Sequence, residues 1–201
     1  MNARRSGKGF EARVAVMAAL GGLLTGCAPT WTVVKQATPN PLVGVKSFAV
    51  ERVSYPRDGL RVGEHQEDAW LAMKKPDEVQ RYKKDRDETA AEFTAQVVGN
   101  KAGLSVASLP PGAPAGEGIV VRPVFTALEP GIFTAVYSLP TTLQMTAQVL
   151  DKTGNVVDEV NFSATVAADI YHPSTDKRMK DAGRDLGDQL VKYLGARTSG
   201  K

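Results

Sequence analysis

Three kinds of side chain here could carry chemistry: two histidines, closely spaced aspartates and one cysteine. His65 sits in GEHQEDAW beside Glu64, Glu67 and Asp68. A metal centre needs converging ligands, each held by its own hydrogen-bond partner. One histidine in a run of acids reads instead as a solvated loop. His172 sits in DIYHPS beside Asp169 and Tyr171, with Ser174 two residues on. Those types could build a serine–histidine–aspartate relay. The sequence has no G-x-S-x-G elbow to present the nucleophile, so a structural corner between strand and helix is expected. The pairs Asp176 and Asp181, and Asp85 and Asp87, read as charge on helix surfaces. Neither a phosphate-binding GxxxxGK[ST] nor a GxGxxG loop occurs. No catalytic residue, metal ligand or cofactor is assigned.

Cys27 is different, because of what precedes it. The first 13 residues carry Arg4, Arg5, Lys8 and Arg13 against Glu11, and the uncharged run VAVMAALGGLLTG follows. That run is shorter than the roughly 20 apolar residues a membrane-crossing helix needs. A basic start and a short apolar run form the pattern of a secretory signal. It ends in Leu24-Thr25-Gly26-Cys27. This resembles the lipobox of bacterial lipoproteins: leucine, a small residue, glycine or alanine, then cysteine. The resemblance implies that Leu24 and Gly26 direct cleavage. Cys27 then gains a diacylglycerol thioether and becomes the acylated first residue. Two or more acyl chains anchor a protein stably where one does not, so a bilayer is the partner expected at Cys27. The residues after Arg4-Arg5 lack the apolar stretch of twin-arginine export, which favours the general route. Ala28 stands where aspartate would retain a lipoprotein in the inner membrane. The expected place is therefore the outer membrane, facing the periplasm.

The leader accounts for the whole net charge of +3; residues 27–201 carry 21 basic and 21 acidic side chains. A basic excess that is discarded gives no reason to expect nucleic acid. With Cys27 lipidated, the fold holds by packing without a disulfide. The expected organisation is a cleaved signal at 1–26, a lipidated tether at 27–41, one domain at 42–196 and a disordered tail at 197–201. The tether APTWTVVKQATPNP could reach about 45 Å at roughly 3.3 Å per extended residue. Trp31 either lies within it or sits at the membrane interface.

The elements follow from periodicity. VGVKSFAVERV (43–53) alternates as a strand with apolar residues on both faces, so a central place is expected. Residues 54–88 are charged and punctuated by Pro56, Gly59, Gly63 and Pro76; short surface helices pinned by Trp70 and Leu71 are expected. Within them KKPDEVQRYKKDRD is lysine-rich but interleaved with acids. It reads as a solvated helical face or a site for anionic lipid or peptidoglycan. A helix over about 85–102 places Ala90, Phe93, Val97 and either Val98 or Lys101 on one stripe, with Gly103 as its stop. Strands follow at 104–108 and 119–128, where Pro123 suggests an edge or a bulge. TTLQMTAQVL and VVDEVNFSATVAA flank DKTGN as a hairpin, and Gly154 supplies the turn's positive φ. Leu143, Met145, Ala147 and Val149 should face Val156, Val160, Phe162, Ala164 and Val166. A last helix runs from Pro173 and Ser174, its cap, to about Gly195. Met179, Ala182, Leu186, Leu190, Tyr193 and Leu194 form its buried stripe. Gly183 and Gly187 either let it approach a neighbour closely or weaken an exposed face.

The expected fold is α+β in the order β-α-β-β-β-β-α, a mixed or antiparallel sheet with two helices on one face. A lipidated chain in that order, with an Asp151-to-Gly154 turn and AGRDLGDQLVKYL in its last helix, resembles small envelope lipoproteins. Among these are the curli-secretion lipoprotein CsgG, the TolB amino-terminal domain and the penicillin-binding-protein activator LpoB. The resemblance implies a non-enzymatic accessory or interaction subunit of an envelope assembly. The candidate contact is PGIFTAVYSLP (130–140), where Ile132, Phe133, Val136 and Tyr137 are too apolar for an ordinary turn. They either fold under a helix or form a patch for a partner protein or membrane. An open strand edge is the other docking route. The alternative function is a small-ligand, glycan or lipid module using the uncovered sheet face.

Overall fold

The computed structural model describes residues 31–110, 112, 118–134 and 136–200. Its elements are β1 (Trp31–Gln36), β2 (Ser47–Glu51), β3 (Arg61–Val62), β4 (His65–Gln66), α1 (Glu67–Ala72), α2 (Pro76–Val98), β5 (Ser105–Leu109), β6 (Ile119–Glu129), β7 (Ile132–Phe133), β8 (Ser138–Leu139), β9 (Thr141–Leu150), β10 (Val156–Val166) and α3 (Thr175–Thr198). The fold is α+β. Without β1 and the two-residue ribbons, and with α1 set aside, the order is the expected β-α-β-β-β-β-α.

The β9–β10 hairpin is the centre of the sheet. Leu143, Met145 and Ala147 pair with Ala164, Phe162 and Val160, and all six are buried. The register shifts between Val156 and Asp158, so Val157 rather than Val156 is buried, and Asp158 turns inward. The strand order is β1-β10-β9-β6-β2-β5, with β3 alongside β6; β2 lies parallel to β5 and β6, and β1, β10, β9 and β6 are successively antiparallel. β2 is interior, as both its faces suggested, but shorter than 43–53: Val43 is exposed in a turn. Pro123 lies in an interior strand, not at an edge. It falls between the last β2–β6 pair, Val50–Val121, and the Ser54–Val124 bridge, where the ladder is interrupted. A register shift follows between Phe125 and Ala127.

Three boundaries differ from the expectation. Residues 31–36, assigned to a tether, form the edge strand β1 against β10. Trp31 packs against Phe162 and Tyr193, ring centroids 6.2 and 6.1 Å away, which takes it from a membrane interface. Residues 197–200 are not a disordered tail. α3 continues to Thr198, and Arg197 is buried with its guanidinium on Asp158 at 2.8 and 3.0 Å. α2 begins at Pro76 instead of about 85 and stops at Gly99 instead of Gly103. Pro76 fits the first helical position, Glu78 accepts a bond from the Lys75 amide, and Tyr82 extends the stripe of Thr89, Phe93 and Val97. Their high local charge hid these signals.

α2 and α3 cover one face and run parallel: Lys180, Arg184 and Asp188 of α3 meet Glu88, Glu92 and Gln96 of α2. Gly183 and Gly187 make the closeness possible. A Cβ at 183 would stand 2.7 Å from the Thr89 carbonyl oxygen, and one at 187 would stand 2.9 Å from Gln96 Cβ. All six stripe residues expected on α3 are buried.

Candidate functional site

The side chains singled out for chemistry fall at different places. Leu24, Gly26 and Cys27 lie outside the described residues. His65 is exposed in β4 and pairs through its backbone with Val62. Among the described residues no three His, Cys, Asp or Glu side chains gather as a metal-ligand group. His172 Nδ1 lies 3.0 Å from Asp169 Oδ1, and its Nε2 lies 3.9 Å from Asp181 Oδ2. Asp181 is already held by Arg184 at 2.6 Å and Lys177 at 3.4 Å. Ser174 occupies the N-cap of α3 without a side-chain cap bond, and no hydrogen bond joins it to His172 among the described residues. The arrangement is a charged corner that fixes the chain entering α3.

The 130–140 segment does not fold under a helix. β7 and β8 pair as a small ribbon closed by the Thr134 amide and hydroxyl, both donating to the Tyr137 carbonyl. Its tip projects: Val136 is 96% exposed, Ile132, Tyr137 and Leu139 are exposed too, and Phe133 is half-buried. A second apolar pair, Ile170 and Tyr171, is 74% exposed at each position in the β10–α3 corner. Alternation could not reveal that pair, because it lies between elements.

Arg178 joins the two loops at their bases. It is completely buried, and its Nε donates to Thr141 Oγ1 at 2.9 Å. Nη1 donates to the carbonyls of His172 and Pro173 at 2.9 and 2.8 Å, and Nη2 to that of Pro130 at 3.5 Å and to Thr175 Oγ1 at 3.0 Å. The hydroxyl of Thr141 in turn donates to Pro130 O at 2.6 Å. Both apolar tips therefore stand at one end of the molecule, above the start of β9 and the end of β10.

A groove of about 730 Å³ lies elsewhere, between α2 and the chain leaving β2. Its floor and walls include Val53, Tyr55, Ala90, Thr94, Ala95 and Val98. α2 offers small side chains along that face, which leaves the space unfilled. Ser108 of the edge strand β5 borders it, as do Arg52 and Asp87. Arg86 stacks 4.6 Å from the Tyr55 ring and bonds buried Glu67 at 2.9 Å. Burial pushes the Tyr55 hydroxyl up to about 12, against the pull of that guanidinium. The groove was missed in the sequence, although an Ala-Ala-x-x-Thr-Ala face on a helix was a usable signal.

The uncovered sheet face carries a polar ladder and a cavity of about 320 Å³ lined by Thr32, Thr126, Gln144, Thr146, Asn161 and Ser163. Thr142 pairs with Thr165 at 3.0 Å, Thr146 with Asn161 at 2.7 Å and Gln148 with Glu159 at 2.8 Å. These side chains satisfy one another across the strands.

No family model matches the chain, and no curated protein matches it. Among solved structures, a PelC dodecamer from Paraburkholderia phytofirmans is similar at 14% identity and a TM-score of 0.42, over 80% of this chain and 97% of that one. A minor lipoprotein from Acinetobacter baumannii is similar at 11% identity and a TM-score of 0.38, over 75% and 93%. Similarity at this level carries no argument about function. No helix among the described residues is long and apolar enough to cross a membrane.

Proposed function

We propose that this chain is a lipid-anchored, non-enzymatic interaction subunit of a bacterial envelope assembly. Acylated Cys27 holds it at the outer membrane, facing the periplasm, and a partner protein docks on its flank. The observation that carries the reading is the apolar groove lying beside the outer edge of β5, the last strand of the sheet among the described residues. An extended partner segment can add to that edge through main-chain hydrogen bonds and place a side chain over Ala95 and Val98. The same groove supports a second reading. Its volume falls within the roughly 300–1,000 Å³ of small-molecule sites, and Arg52 and Thr94 could orient a ligand.

Photocrosslinking tests the first reading. A benzophenone side chain at exposed Val98 should give an adduct of one discrete mass in intact cells. Ala95→Arg, which fills the groove from an exposed helix position, should abolish the adduct while leaving the melting temperature unchanged. An adduct indifferent to Ala95→Arg would count against this docking site. A small molecule released from denatured wild type and missing from Ala95→Arg would favour the second reading.

A further inference from the structure

The direction of β1 decides which end of the domain faces its anchor. β1 is antiparallel to β10, with Trp31 opposite Phe162 and Gln36 opposite Asp158. The N-terminal end of β1 therefore points toward Val166, the end that carries both apolar loops. Four peptide links separate Trp31 from Cys27, a reach of about 13 Å fully extended. Phe162 lies four residues short of the end of β10, also about 13 Å along a strand. The link is thus just long enough to bring Cys27 level with the end of the sheet. It cannot hold the domain clear of a surface to which Cys27 is fixed.

At that end stand Ile132, Val136, Tyr137, Leu139, Ile170 and Tyr171, six of the eleven exposed large hydrophobic side chains among the described residues. Among the described residues none covers them from water. Tyrosine suits the boundary between hydrocarbon and headgroups, where its ring and hydroxyl meet different solvents. Arg178 gives the loops a shared rigid base, so they can enter a surface together.

We propose that Ile132, Val136, Tyr137 and Leu139 of the β7–β8 ribbon, with the Ile170–Tyr171 corner, rest in the headgroup layer of the bilayer that holds the acylated Cys27. This rests on the lipid-anchor reading above. It adds an orientation: β-sheet end down, with the groove and the β5 edge held sideways and open to partners.

The thioether at Cys27 would consume the only natural thiol, so one engineered cysteine reports one position. Acylated full-length protein carrying Tyr137→Cys, Tyr171→Cys or Lys152→Cys is labelled with the fluorophore NBD. It is then reconstituted into phosphatidylethanolamine–phosphatidylglycerol vesicles. Lys152 lies in the β9–β10 turn at the opposite end. Labels at 137 and 171 should shift to the blue and be quenched by lipids spin-labelled near the headgroup, while the label at 152 does neither. Acylated, vesicle-bound protein whose three labels behave alike would overturn the orientation and leave the anchor standing. Intact mass showing no acyl groups on Cys27 would overturn both. The same blue shift in detergent-free solution without vesicles would assign the end to self-association and overturn the proposal.

Discussion

Arg178 is a buried cation whose hydrogen-bond partners among the described residues are three carbonyls and two hydroxyls, with no carboxylate. Burial lowers its pKa, but a guanidinium stays charged in proteins. Its value lies in geometry: one flat group satisfies acceptors from β9, from the chain before β7 and from the corner before α3. Arg178→Ala strands those acceptors in the interior, and each buried unsatisfied group costs about 1–3 kcal/mol. A loss of about 3 kcal/mol or more in urea unfolding is expected, with faster chymotrypsin cleavage at Tyr137. Arg178→Lys should recover little, since one ammonium cannot reproduce the fork. Wild-type stability in both variants would show that the loops are fixed by something else. Asp158 is a comparable group at the other end: it accepts from Tyr193 at 2.7 Å and from Arg197. Neither arginine was legible in sequence, where a charged residue on a helix reads as surface.

At the scale of elements, the α2–α3 contact separates intrinsic helix preference from packing. Three glycines lie in α3. Alanine is favoured over glycine inside a helix by roughly 1 kcal/mol. Gly195→Ala meets nothing within 4 Å, so it should stabilise by about that amount. Gly183→Ala meets the Thr89 carbonyl oxygen at 2.7 Å, and Gly187→Ala meets Gln96 Cβ at 2.9 Å and the Phe93 carbonyl oxygen at 3.1 Å. Both should destabilise by about 1–3 kcal/mol, the scale of overpacking. Thermal melts of the three variants decide the matter: if all three gain stability, the helices are not in this contact. The glycine spacing, one turn apart, was visible in the sequence, but which face it lay on was not. The α3 stripe and the β9–β10 hairpin were legible because their apolar periods run unbroken through α3, β9 and β10 from Val160 onward. β1 was not: all of its residues after Trp31 are exposed, and the prolines around it hide a strand whose reason for forming is the edge of β10.

For the molecule as a whole, the packed body starts at Trp31 among the described residues. A chain starting at residue 31 should melt as the chain starting at 27 does. A chain starting at residue 37 loses β1, exposes Phe162 and Tyr193 to water and frees the β10 edge. It should lose roughly 3 kcal/mol, the scale of removing one packed tryptophan, and aggregate through that edge. Equal melting of all three would restore the tether to residue 41.

The sequence by itself determined the α+β order, the central hairpin, the buried stripe of the last helix and the resemblance of Leu24–Cys27 to a lipobox. Each is a local pattern: an apolar period, a turn residue or a short motif can be read without knowing what lies opposite. Tertiary structure alone decided that residues 31–36 complete the sheet, that Arg178 and Arg197 belong to the interior, that α2 leaves a groove beside β5, and that two separate apolar loops share the end toward which the start of β1 points. Those features depend on which distant segments meet, and that is set by strand pairing and helix packing across up to 160 positions of sequence.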